Sequence, residues 1–431
     1  MWHNFGFQEN PYQTEPMPAT EEGNELLVGR EEEIKKLEVR VAECGNHVTI
    51  EGDNGVGKTS LLSVVAYRLR SSSEAGESPQ LFLPLCEVFQ LNPEDSVDEF
   101  VKKVYYQIAS TIDKEYPVLR RYAHRVPDIA DVRSWLRAPL LHSTGTNVSA
   151  LGFGAGGSRG RSVNSSAGFA DSGFKATIDE WLPQLFPTNQ SGGFVGVIDN
   201  LELLETTQNA RRLLEGLRDP LLNRRGLRWI LCGARGIVRT AVSSQRLEGR
   251  LAEPLEIRPI SDGYVSAAIE RRIERYRVDE NAVAPLGPES FQYLYDVLNC
   301  NLRNAFKYAR DFSFWLLEEG TLSGDASEYD GYFRAWLAEQ ADRHNEQTDL
   351  TKRAWQVFDD LASGRGWCSP GDFEEFGFNS MPRMRTHIKA LEQENLVFTS
   401  LNDESDKRRK TICMTPRGWL VRYSRSGYEL P

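Results

Sequence analysis

HVTIEGDNGVGKTSLLSVVAYRL, residues 47–69, decides the fold. A short β-branched run leads into Gly52, Asp53, Asn54, Gly55, Val56, Gly57, Lys58 and Thr59, and Ser60 continues into an apolar stretch of helical period. This matches the phosphate-loop pattern G-x-x-x-x-G-K-[ST] at every fixed position, with a strand before it and a helix after it. Glycines let backbone N–H groups close around phosphate oxygens, and the following helix presents the positive end of its dipole. In that chemistry Lys58 reaches the β- and γ-phosphates of ATP, and the Thr59 hydroxyl serves Mg²⁺. Residues 52–60 are therefore the expected nucleotide-binding set.

Working outward, apolar runs at 81–85, 194–198 and 229–232, with a weaker one at 255–257, alternate with helical stretches. Buried runs alternating with helices predict an α/β fold, an αβα sandwich around a parallel five-stranded sheet. The second acidic element belongs at the end of a neighbouring strand, and FVGVIDNLELLE places Asp199 there as the metal-side carboxylate beside Thr59. Asn200 follows, where many ATPases carry the glutamate that orients the attacking water. An amide positions water but cannot take its proton, so Glu202 is the nearest candidate base. The alternatives are slow or absent hydrolysis, or a Glu202 that merely caps a helix.

The chain has 431 residues and a formal net charge of −11, enough for two to four domains of roughly 100–200 residues each. Its six cysteines are scattered singly with no C-x-x-C pair, and its six histidines are equally dispersed, which points to free thiols in a reducing, cytoplasmic setting and removes the usual zinc patterns. No apolar run suggests a membrane span. The expected divisions are an extended arm over 1–24, a nucleotide-binding domain over 25–260, a helical lid over 261–347 and a third domain over 348–431. Residues 143–173 are dense in Gly and Ser, and read as a mobile insertion, either a spacer or a segment that orders on a partner.

Four features together resemble the AAA+ and STAND branch of P-loop ATPases, origin-recognition ATPases in particular. LLVGREEEIKKLE (26–38) resembles the Gly-Arg box ahead of the phosphate loop, which implies that Val28, Gly29 and Arg30 lie over the adenine. The phosphate loop and FVGVIDN follow in order. WILCGARG (229–236) resembles a strand ending in a sensor, which implies that Arg235 reads the γ-phosphate. LNCNLRNAFKYA (298–309) resembles a lid motif, which makes Arg303 a second sensor. An arginine finger acting on a second copy would come from Arg246 or Arg250; STAND proteins generally lack one. The resemblance implies a homo-oligomer.

Beyond residue 350, TKRAWQVFDDLASG, SPGDFEEFG and SMPRMRTHIKALEQENLV read as three helices, followed by strand, charged turn and strand through residue 422. That order resembles a winged helix. Residues 381–428 carry ten basic side chains against five acidic ones, a local excess inside an acidic chain. Arg383, Arg385 and Lys389 are expected to face a DNA groove, and Lys407, Arg408, Arg409 and Lys410 to meet phosphates from the wing. The expected function is an ATPase, slow in turnover, that couples nucleotide state to domain rearrangement, oligomerisation and DNA binding. The alternative is a STAND-like signalling switch that recruits an effector protein through the winged helix.

Overall fold

The computed structural model describes residues 1–43, 45–123, 125–137, 140–145, 158–163, 173–204, 207–234, 236–401 and 410–430. Its centre is a sheet of β1 (Val48–Glu51), β2 (Leu81–Gln90), β5 (Gly192–Asp199), β6 (Leu227–Gly233) and β7 (Leu255–Glu256), in the order β2-β5-β6-β1-β7. Every neighbouring pair is parallel. Strands β5 and β6 are buried at every position because both faces are covered. Side-chain alternation divides the core. Phe194, Ile198, Trp229 and Leu231 pack towards helices Val97–Lys114, Phe174–Leu185 and Thr207–Leu217. Val195, Val197, Ile230 and Cys232 pack towards helices Glu31–Ala42 and Lys58–Ala75. The predicted α/β sandwich is present with all five expected strands, and β1 lies between β6 and β7.

Part of the Gly/Ser-rich insertion is paired rather than loose. Strands β3 (Leu140–Gly145) and β4 (Ser158–Val163) form an antiparallel ladder, which satisfies backbone groups without demanding an apolar core. The rest of that expectation falls outside the described residues.

Helices Asp262–Tyr276, Pro288–Val297, Leu302–Glu318 and Ala326–Glu346 build the lid. Next come helix Lys352–Ser363, the short strand β8 (Trp367–Cys368), a 3₁₀ turn at Pro370–Asp372, helix Met381–Gln393, and strands β9 (Val397–Leu401) and β10 (Lys410–Met414). The three strands form an antiparallel sheet in the order β8-β10-β9, which is the winged-helix arrangement. Three details differ from the sequence reading. The expected second helix tightens to a 3₁₀ turn because Ser369 and Asp372 cap each other reciprocally at Pro370. Strand β8 is too short to show a period. The chain ends in helix Pro416–Arg425, capped by Thr415, where strand was expected.

That last helix joins the winged helix to the lid. Ser424 Oγ donates to Asp342 Oδ1 at 2.7 Å, Tyr428 OH donates to Asp342 Oδ2 at 2.7 Å, and the hydroxyls of Tyr293 and Tyr423 meet at 2.6 Å. Lid and winged helix share one continuous core, which also takes in Phe5, Phe7 and Tyr12 of the N-terminal segment. That segment carries a 3₁₀ turn at Trp2–Phe5 and a helix at Glu21–Leu26.

One buried histidine makes the fold sensitive to acid. His47 Nε2 donates to the Leu222 carbonyl at 2.7 Å while Nδ1 accepts the Trp229 N–H at 3.2 Å, which fixes a neutral tautomer. Burial lowers its pKa to about 4, with Arg228 and Arg250 pushing the same way. The unfolded chain binds this proton below an ordinary pKa near 6.5 and the folded chain does not. Stability therefore falls as pH drops from about 6.5 to about 4, by roughly 3 kcal/mol through this site alone. Denaturant melts across that range should show the slope, and the slope should flatten in His47→Gln.

Candidate nucleotide site

The phosphate loop leaves β1 at Gly52, whose N–H donates to the Gly233 carbonyl at 3.3 Å, and enters helix Lys58–Ala75 through Gly57. Gly55 has φ +87°, and a Cβ there would fall 2.4 Å from Asn301 Oδ1 of the lid. Glycine is required on both counts. The Lys58 ammonium sits within the loop, donating to the carbonyls of Gly52 at 2.9 Å and Asp53 at 3.1 Å. Thr59 Oγ1 donates to Asp199 Oδ2 at 2.7 Å. Asp199 is 1% exposed, and its other oxygen accepts the Asn200 N–H at 2.8 Å. A hydroxyl and a carboxylate are hard oxygen donors, and Mg²⁺ is normally held by one or two such protein groups plus phosphate oxygens. The pair therefore fits the expected ion.

Asn200 adopts φ +56°, a left-handed conformation that asparagine tolerates. The bend starts the 3₁₀ turn Leu201–Leu204 and turns Glu202 towards the loop after β6, where Oε2 accepts the Ala234 N–H at 2.9 Å. The candidate base thus lines the cleft while tethered to that loop. Glu51, the last residue of β1, grips the same loop. It accepts the Gly236 N–H at 3.2 Å and pairs with Arg239 at 2.8 Å. The expected sensor Arg235 falls outside the described residues.

Arg30 is 2% exposed, and its guanidinium donates to the Val56 carbonyl at 2.8 Å and to Glu33 at 2.9 Å. It holds the phosphate loop from behind while also lining the cleft. Gly29 has φ +72° and lies so close to Tyr264 that a Cβ would stand 2.6 Å from that ring. Val28 lines the cleft beside Leu26 and Leu27. From the lid, Asn301 Nδ2 donates to the Asn54 carbonyl at 2.8 Å, and the Arg303 N–H donates to the Gly55 carbonyl at 3.3 Å. The Arg303 side chain is exposed along the same cleft. The whole forms a cleft of about 320 Å³ between sheet and lid, walled on one side by residues 13–17.

The other expected residues lie elsewhere. Arg246 and Arg250 are exposed and do not line the cleft; the Arg250 carbonyl accepts the His47 N–H at 2.7 Å beside β1, and Arg246 faces Glu215 at 3.9 Å. Arg383, Arg385 and Lys389 are exposed on helix Met381–Gln393, opposite the buried Met384, Ile388 and Leu391. Lys410 opens β10, and Lys407, Arg408 and Arg409 lie outside the described residues. Glu51, Asn301 and Arg272, the last lining the cleft from helix Asp262–Tyr276, were missed by the sequence reading. Only Glu51 carried a signal, as a carboxylate interrupting an apolar strand directly before the loop. No described helix is long and apolar enough to cross a membrane.

Fold and site define an α/β domain with a phosphate loop under a helical lid, followed by a small domain of helices and a three-stranded antiparallel sheet. No family model and no curated protein matches the sequence. Among solved structures the chain is similar to the ORC2 protein of Aeropyrum pernix in ADPNP–ADP complexes, with 12% identity over 97% of this chain and 98% of that one and a TM-score of 0.47. It is also similar to a Walker-type ATPase of Pyrococcus abyssi, with 14% identity, 96% and 99% coverage and a TM-score of 0.46. The ORC1 protein of Aeropyrum pernix in complex with DNA gives 14% identity, 96% coverage of both chains and a TM-score of 0.43.

Arg30 yields a direct prediction. Arg30→Ala removes a charged hydrogen bond to Val56 and should cost about 2 kcal/mol. The loss should appear as a lower thermal midpoint, with nucleotide recovering part of the difference by ordering the loop.

Proposed function

We propose that this chain binds ATP with Mg²⁺, hydrolyses it slowly, and converts nucleotide state into the angle between its sheet domain and a rigid lid–winged-helix arm that contacts DNA. The observation that carries the reading is the Thr59–Asp199 contact at 2.7 Å beside a Lys58 ammonium seated in the phosphate loop. Thr59 and Asp199 would hold the ion, which would neutralise charge building on the transferring phosphoryl oxygens. Lys58 and the loop N–H groups bind the phosphates.

Slow turnover follows from Glu202. To take a proton from water it must act through its other oxygen or release the Ala234 N–H, and Asn200 supplies no second carboxylate. Coupling follows from the lid's hold on the loop: Asn301 and Arg303 touch loop carbonyls that reposition when phosphates enter. A ligand that favours one lid angle shifts the population of arm positions by its differential affinity. The three exposed cations on helix Met381–Gln393 suit DNA phosphates and groove edges. Arg246 and Arg250, exposed and outside the lining of their own cleft, would supply the arginine finger to a second copy.

Lys58→Ala should weaken binding of a fluorescent ATP analogue at least about a hundredfold, and unchanged affinity would overturn the nucleotide reading. Glu202→Gln should lower steady-state phosphate release by roughly 10²-fold or more while leaving ATP affinity within about threefold. For DNA, replacing Arg383, Arg385 and Lys389 together by alanine should reduce the slope of log K against log salt by about 2 to 3. A slope equal to that of the parent protein excludes this helix as the DNA contact.

A further inference from the structure

Arg272, in the first lid helix, is 5% exposed and has no carboxylate partner among the described residues. Burial lowers its pKa to about 10, so it remains a cation at neutral pH. Its guanidinium lies 4.3 Å from the Phe306 ring centroid, Nη1 donates to the carbonyls of Pro11 at 3.4 Å and Gln13 at 3.2 Å, and Nε has no partner. Both carbonyls belong to the N-terminal segment. Between them Tyr12, wholly buried in the lid core, donates to the Leu286 carbonyl at 2.7 Å and accepts the Leu286 N–H at 2.8 Å. Just after them Met17 N–H donates to Ser60 Oγ at 3.1 Å, on the helix that follows the phosphate loop.

Residues 13–17 therefore cross from lid to sheet domain, and they wall the cleft together with Leu27, Ile260, Ala268 and Phe306. Leu27, Ile260, Ala268 and Phe306 give that part of the cleft an apolar face, the chemistry suited to a flat nucleobase rather than to phosphates.

Building on the proposed nucleotide reading, we propose that residues 13–17 are a strap closing the base end of the cleft, and that Arg272 is the positioning residue that latches the strap to the lid. A bound base then touches strap and lid at once, so base contact and lid angle are set together. Neither partner alone completes the wall. The strap lacks regular structure and is tied down at Tyr12, at Met17 and by Arg272 at the Gln13 carbonyl, while the lid face lacks the side covered by Gln13, Thr14 and Glu15.

The test compares ATP with inorganic triphosphate, which engages the phosphate loop but has no base. In the full chain, Arg272→Met should weaken ATP binding about tenfold and leave triphosphate binding unchanged, with Arg272→Lys recovering part of the loss. Thr14→Trp, a partly exposed position that fills the base end without disturbing the core, should also lower ATP affinity alone. The proposal is overturned if Arg272→Met or Thr14→Trp binds ATP as the parent protein does, or if a folded variant loses ATP and triphosphate equally. Lys58→Ala separates the two readings, since it should lower both affinities; if it lowers neither, the nucleotide reading itself fails.

Discussion

The lid rests on the phosphate loop through backbone carbonyls, and everything distal to the cleft depends on that contact. Asn301 donates to Asn54, and Arg303 donates through its own N–H to Gly55. Neither bond needs a particular loop side chain, so the lid reads the loop's shape. Gly55 makes the approach possible, because any side chain there would meet Asn301. A loop that rearranges around phosphates moves these carbonyls, and the lid must follow or let go.

Packing would carry such a movement. Sheet domain and lid have separate cores, whereas lid and winged helix have one. Interiors packed at crystal-like density transmit displacement with little internal give. The bonds from Asp342 to Ser424 and Tyr428, with the Tyr293–Tyr423 pair, close the surface of that shared core. The helix bearing Arg383, Arg385 and Lys389 is thus an extension of the lid, and in the proposed mechanism the cleft would be the joint.

Much of this was legible in the sequence. The phosphate loop has fixed spacing, the buried strands are continuous apolar runs, and Asp199 ends one of them, so local pattern sufficed. The first and third helices of the winged domain announced themselves by period. What was not legible depends on pairing between distant residues. Arg272 stands with Arg271 and Arg275 on a helix whose sequence does not say which arginine faces inward. Phe5, Phe7 and Tyr12 carry no period because they insert into a core built by residues more than 250 positions later. Strand β8 spans two residues, and Thr415 caps a last helix where β-branched neighbours suggested strand.

The crossing at residues 13–17 also orders events as the chain is made. Its upstream anchor, Tyr12, has no partner until Leu286 exists, and Arg272 emerges only shortly before. Synthesis runs from the N-terminus, and contacts this distant in sequence close late. The sheet domain can complete its five strands by residue 256 while the start of the chain still hangs free. A ribosome-bound chain at that stage has a finished phosphate loop beside an open base end. On the proposed nucleotide reading, tight capture would then belong only to chains that have acquired their lid, so a product truncated before it would compete poorly for ATP.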